Sequence, residues 1–326
     1  MKYGKITGYG KALPKRILTN EEIATFVDTS DQWIQERTGI KQRHVVSEGE
    51  HCSTLATESA QKAMAHAGVT ADELDLIIVA TSSPDFLVPP VSSMVQDMLG
   101  AKTAGAFTTV VGCTGFVVGL IQADNFIRTG AYKNIVVVGV EVISRQLDWE
   151  DRNTCVLFGD GAAAVMVQAS DEPCGVLSHV MGSDGSLYQS IIHPSGGTAV
   201  PATHETIDAR QVYLKMNGRE VFKFATGVIP KTMSELMEKS GKTFDDIKLL
   251  IPHQANARII EYASSQMGLS NEKVFVNVQN YGNTSAASVP IAFAEALEAG
   301  LIEEGDLVAL IAFGAGLTWA GALVHL

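Results

Sequence analysis

The chain has 326 residues, 46% of them hydrophobic and 18% charged, with a formal net charge of −12. That is enough for a large core, in two domains or one duplicated unit. The acidic balance, with no block of basic residues, argues against a nucleic-acid partner. Four cysteines (Cys52, Cys113, Cys155, Cys174) without a CxxC pair exclude a disulfide framework or a zinc site. They fit a reduced, cytoplasmic setting.

Met1-Lys-Tyr-Gly-Lys-Ile-Thr-Gly lacks the apolar region of a signal peptide. After a strand near Ile6, a short helix is expected from Thr19. A second should run through Trp33 and Glu36, capped by Thr29-Ser-Asp-Gln32. Ser53 to Ala67 reads as an amphipathic helix, and Leu74 to Thr81 as a strand covered on both faces. Met94 to Leu99 is expected to be helical. Thr108 to Val111 is then a short β-rich run that breaks at Gly112 and delivers Cys113 to the start of an apolar helix ending near Gly130. At such a start, unpaired N–H groups and the macrodipole should favour the thiolate. A second buried strand follows at Ile135, and Phe158-Gly-Asp-Gly161 turns into a third. Asp160 is read as a turn residue.

The second half repeats this plan. Asp245 to His253 matches Asp72 to Ala80 in pattern. Val274 to Asn283 leads into an apolar helix ending at Gly300, as the cysteine unit leads into one ending at Gly130. Both intervals, 113 to 130 and 283 to 300, are 17 residues. Leu307 to Phe313 copies the strand at Ile135, and Thr318 to Leu326 the strand after Gly161. Leu307 to Leu326 carries no Asp, Glu, Lys or Arg, yet its Gly314-Ala-Gly316 interruption fits two buried strands better than a membrane span. Two copies of one α/β unit, divided as 1–172 and 173–326, imply two sheets related by a pseudo-twofold axis. The helices behind Cys113 and Asn283 would lie between them. His253 ends the matching strand, so a Cys–His–Asn cluster is expected where the halves meet.

Such a cluster suits nucleophilic acyl transfer to and from a thioester. Gly112 and Gly115 permit close backbone approach. The Cys113 N–H, with one from Phe313-Gly-Ala-Gly316, would hold an oxyanion.

Gly112-Cys-Thr-Gly-Phe116, Phe158-Gly-Asp-Gly-Ala162, Pro252-His-Gln-Ala-Asn-Ala-Arg-Ile259, Tyr281-Gly-Asn-Thr-Ser-Ala-Ala-Ser288 and Phe313-Gly-Ala-Gly-Leu-Thr-Trp319 together resemble the 3-oxoacyl-[acyl-carrier-protein] synthase III family. The resemblance covers essentially the whole chain, in the family's order. It implies a thiolase-like five-layer αβαβα fold and a cytoplasmic homodimer. The implied reaction joins an acyl-CoA primer to malonyl-acyl carrier protein, with no metal or prosthetic group. Cys113 would carry the acyl group, His253 and Asn283 would stabilise the enolate, and the N–H groups of Cys113 and Ala315 would hold the oxyanion. CoA would meet Thr29, Trp33, Arg37, Arg152, Phe222 and Asn256. The carrier protein would meet Arg219, Lys223 and Arg258.

Three departures from the family pattern stand out. Val111-Gly112 replaces the usual Ala-Ala, and Ala315 stands where the glycine loop has its middle glycine. At the primer-pocket wall, a bulky aromatic is replaced by Val88 beside Leu87, so primers longer or more branched than acetyl are expected. A thiolase would need a second active-site cysteine, and none follows Cys174. A hydroxymethylglutaryl-CoA synthase would need a glutamate base, for which no equivalent is read near Cys113 or His253. The remaining alternatives are a same-fold synthase of secondary metabolism with a non-carrier acceptor, and a non-catalytic thioester-binding protein. A catalytic Cys113 is expected to alkylate with iodoacetamide faster than an ordinary thiol.

Overall fold

A computed structural model describes residues 2–326. Its first sheet has the strand order Tyr3–Ala12, Gly161–Ser170, Asn134–Glu141, Leu76–Ala80, Gly105–Thr109. The second runs Leu249–Pro252, Leu307–Gly314, Thr318–His325, Gly175–Ser183. In each, a parallel core gives way to antiparallel pairing on one side.

The unbroken apolar runs are strands buried on both faces. Ile77 and Val79 point into one core with Leu55, Ala56 and Val95 of the helices Cys52–Ala67 and Val91–Leu99. Leu76 and Ile78 point the other way, onto Phe116 and Leu120 of the central helix Gly115–Arg128. Such period-two alternation is what a strand imposes on its side chains. The second sheet repeats it. Leu249 and Ile251 meet the central core, and Leu250 meets the outer helices Gly218–Ser240 and Ala257–Gln266. With Ser288–Glu298 beside Gly115–Arg128 in the middle, the layers are αβαβα.

Two expectations need correction. The repeat is incomplete at Val274, which forms only an isolated bridge to Leu250 where the first sheet has the strand Gly105–Thr109. Gln254 explains this: its side-chain oxygen accepts from the N–H groups of Asn277 (2.9 Å) and Val278 (3.3 Å), turning the chain into the short helix Val278–Tyr281. The cap of the helix Asp31–Thr38 is Ser30, whose hydroxyl accepts from Trp33 N–H at 3.1 Å. The buried Thr29 hydroxyl makes no hydrogen bond. Among the described residues no helix is long and apolar enough to cross a membrane, and Leu307 to His325 forms two paired strands.

Candidate active site

The two central helices begin at equivalent points, and both starts open on one cavity of about 880 Å³. Cys113 sits in the single turn Gly112–Thr114 that precedes the first of them. Gly112 has φ of +57°, and a Cβ there would lie 3.1 Å from the Ala315 nitrogen. Gly314 is tighter still, since a Cβ would fall 2.8 Å from both the Cβ and the nitrogen of Cys113. Glycine at these positions lets the two halves of the chain touch behind the sulfur.

His253 follows the strand Leu249–Pro252, and its N–H donates to Ile311 O at 2.7 Å. Its ring meets Phe313 edge-on, with centroids 5.2 Å apart, one residue before the glycine that abuts Cys113. Asn283 is pinned to the first half of the chain: its N–H donates to Leu157 O (2.8 Å) and its carbonyl accepts from Gly159 (3.0 Å). Its side-chain oxygen accepts from Ser285 N–H at 2.9 Å, which leaves the amide NH2 to donate elsewhere. Cys113, His253, Asn283 and Ala315 all line the cavity.

The electrostatics differ from what the helix start suggests. Burial pushes the Cys113 thiol up to about 12, with Glu141 behind it adding to the rise. The hydrogen bond with the Ser285 hydroxyl and those from the N–H groups of Cys113 and Ala315 act against the shift without reversing it. The resting group is a thiol, because desolvation of a thiolate outweighs the N–H groups around it. Those two N–H groups converge on the sulfur, and Ala315 is not at positive φ, so the alanine costs the loop no donor.

Burial pushes His253 down to about 3, so the imidazole is neutral near pH 7. Its Nδ1 meets the Ser288 hydroxyl, whose oxygen also accepts from Gln254 N–H at 3.2 Å. No other acceptor faces that hydroxyl, so its proton is assigned to Nδ1, and the ring then carries its own hydrogen on Nε2 as a donor.

The profile of the 3-oxoacyl-[acyl-carrier-protein (ACP)] synthase III family matches residues 107–185, and that of its C-terminal region matches 237–326. The beta-ketoacyl-[acyl-carrier-protein] synthase III of Natranaerobius thermophilus is 49% identical over 327 residues, covering 99% of each chain. That of Caldanaerobacter subterraneus subsp. tengcongensis is 47% identical, over 98% of this chain and 96% of the other. The crystal structure of the synthase III from Aquifex aeolicus superposes with a TM-score of 0.91 at 43% identity, covering 99% of this chain and all of that one. The chain belongs to the 3-oxoacyl-[acyl-carrier-protein] synthase III family. It is an acyltransferase of the condensing type and initiates type II fatty-acid synthesis; a synthase of secondary metabolism is not favoured.

In this synthase the cavity mouth carries Trp33, Arg37, Arg152, Phe222, Asn256, Arg219 and Arg258. The Arg152 guanidinium lies 5.0 Å from the Trp33 ring centre and that of Arg37 6.0 Å, a cationic and aromatic platform of the kind that holds a nucleotide. Asn256 also caps the helix Ala257–Gln266 and donates to Arg37 O at 3.1 Å, so it ties two walls together. Thr29 and Lys223 lie outside the lining.

Leu87 and Val88 also lie outside it, on an open loop where they are 85% and 83% exposed. The loop leaves the end of Leu76–Ala80 and is held against Thr108 and Thr109, at the end of the strand that leads to Cys113.

Two further corrections concern carboxylates. Glu141 is wholly buried near Cys113, although no glutamate was expected there. Its strand lies parallel to Leu76–Ala80, which carries its end beneath the nucleophile turn. Asp160 is more than a turn residue, because its carboxylate accepts from Ser144 N–H and Val46 N–H, each at 2.8 Å, and from the Ser144 hydroxyl. Sequence reasoning also missed Asp148, which fixes the wall near Leu214 by pairing with Arg210 and, at 3.2 Å, with Lys215.

Proposed function

We propose that the chain joins an acyl-CoA primer to malonyl-acyl carrier protein, releasing CoA and CO2, through an acyl-Cys113 intermediate. The observation that carries this reading is the single cavity in which Cys113, His253 and Asn283 meet. The sulfur attacks the acyl-CoA carbonyl while the N–H groups of Cys113 and Ala315 hold the oxyanion. After CoA leaves, the malonyl thioester carbonyl accepts from His253 Nε2–H and the Asn283 amide. Loss of CO2 then leaves an enolate already stabilised, which attacks acyl-Cys113. Decarboxylation itself makes the carbanion, so the chemistry as proposed uses no strong base, metal or prosthetic group. The test is to incubate the protein with acyl-CoA and then malonyl-carrier protein, reading both species by mass. An acyl-enzyme without a 3-oxoacyl product would overturn the reading.

The carrier protein would dock at Arg219, Lys223 and Arg258, a local basic spot on an acidic chain. Lys223→Glu should raise the KM for malonyl-carrier protein by about 3- to 10-fold, more at low salt. Acylation by acyl-CoA should stay within about twofold, since Lys223 is outside the cavity lining.

We also infer a cytoplasmic homodimer. All four cysteines are free, and Gly105–Thr109 is a sheet edge with an unpaired side. The 82–90 loop is tied to that edge at both ends, by Thr81 N–H to Thr109 O (3.2 Å) and Ser92 N–H to the Thr108 hydroxyl (3.0 Å). An open edge beside exposed Leu87, Val88 and Val110 invites a second copy. The primer-wall role of Leu87 and Val88 would then be played in the neighbouring subunit's cavity. Butyryl- or isobutyryl-CoA should acylate faster than acetyl-CoA, and a charge at Val88 should lower dimer content in light scattering. A strict acetyl preference would remove the primer reading.

A further inference from the structure

Glu141 closes the strand Asn134–Glu141 with no solvent exposure and, among the described residues, no ion-pair partner. Its oxygens accept from Ser82 N–H (3.1 Å) and from the hydroxyls of Ser83 (2.5 Å), Thr81 (3.3 Å) and Ser285 (3.0 Å). A carboxylate buried without a cation is costly, and neutral donors compensate only part of that cost. Ser285 is held at φ of +47°, a conformation that β-carbon residues avoid. That backbone does two things at once. Its N–H fixes the Asn283 amide, and its hydroxyl stands between the Cys113 sulfur and Glu141.

The Cys113 proton needs a destination during acylation, and His253 does not offer one. Its Nε2 already carries hydrogen, and its Nδ1 is occupied by Ser288. We propose that Glu141, acting through the Ser285 hydroxyl, takes the Cys113 proton on acylation, stores it in the acyl-enzyme and returns it when condensation frees the sulfur.

The proposal rests on Cys113 being the acylated group. In the first half-reaction the S–H proton passes to the Ser285 oxygen as the Ser285 proton passes to the Glu141 carboxylate. The sulfur bonds to the acyl carbon, the bond to the CoA sulfur breaks with its electron pair, and that thiolate takes a proton from water at the cavity mouth. In the second, the carbanion bonds to the acyl carbon and the Cys113–acyl bond breaks with its pair on sulfur. The stored proton then returns through Ser285 to restore the thiol. One proton is consumed per turnover, and it ends on CoA.

Burial, opposed by its hydrogen bonds, raises Glu141 to about 7, where a carboxyl can both take and give a proton near neutrality. The titratable groups facing it are the Cys113 and Cys52 thiols. Asp85 and Asp160 act on Cys52, and Arg145 acts on Asp160.

The test follows single-turnover acylation of the full-length protein by butyryl-CoA, read by mass at several pH values. In the wild type the rate should climb with pH and level off above about 7. Glu141→Gln and Ser285→Ala should each be slower by about 10²-fold and lose that climb, whereas Glu141→Asp should keep it. Infrared difference spectra should show a protonated carboxyl appearing on acylation of the wild type and vanishing on addition of malonyl-carrier protein. A slow Glu141→Gln that keeps the wild-type pH profile would reduce Glu141 to packing and overturn the proposal. So would a wild-type acyl-enzyme without the infrared band, a readout that stands even if the variants fail to fold. A wild type that forms no acyl-enzyme would instead refute the acyl-Cys113 reading.

Discussion

Cys113→Ala should form no acyl-enzyme and should lose condensation by about 10⁴-fold or more, the scale on which removal of a covalent nucleophile is felt. The fold should survive, because alanine leaves the contact with Gly314 intact and removes only a sulfur that faces the cavity. Decarboxylation of malonyl-carrier protein should persist in the variant, since His253 and Asn283 belong to the other half-reaction. Mass analysis after acyl-CoA and CO2 release after malonyl-carrier protein separate the two. An alanine variant that still carries an acyl group would move the nucleophile elsewhere.

The same thiol reverses one expectation. With its pKa pushed up to about 12, Cys113 in the free enzyme should alkylate with iodoacetamide no faster than an ordinary thiol. The rate should rise as pH rises toward that value, because only the thiolate reacts. Fast labelling at neutral pH would mean that the N–H groups outweigh burial after all.

Much of the site is legible in the sequence because it sits where periodicity changes. Cys113, His253 and Asn283 each end a buried run or begin an apolar helix, and the 17-residue match ties the first to the third. The glycines at 112 and 314 are legible for the same reason, as breaks in β-rich runs. What escapes is whatever depends on long-range approach. Glu141 looks like the polar end of a strand, and nothing local shows that Ser285, 144 residues on, reaches it. Ser285 itself carries a backbone angle that its residue type does not announce. The preference for thiol over thiolate is likewise invisible, because a helix start is readable and the depth of its burial is not. Leu87 and Val88 are a different case: their apolar character is plain, but a single chain's sequence does not say whose cavity they face.

His253→Ala should divide the reaction at its midpoint. Acylation by acyl-CoA should proceed at near the wild-type rate, since the imidazole holds no proton for Cys113 and the oxyanion donors come from the backbone. Condensation should fall by about 10²- to 10³-fold, the usual loss when one preorganised donor to a developing oxyanion is removed. Acyl-Cys113 should therefore accumulate in the variant when both substrates are present, while CO2 release slows in step with product. His253→Gln restores a neutral donor and should recover part of the loss. It should also leave the pH profile between about pH 6 and 8 as in the wild type, because the native ring, held near 3 by burial, does not titrate there either. If acylation collapses along with condensation, His253 serves the thiol directly. The Nε2–H assignment drawn from Ser288 and Gln254 would then be wrong.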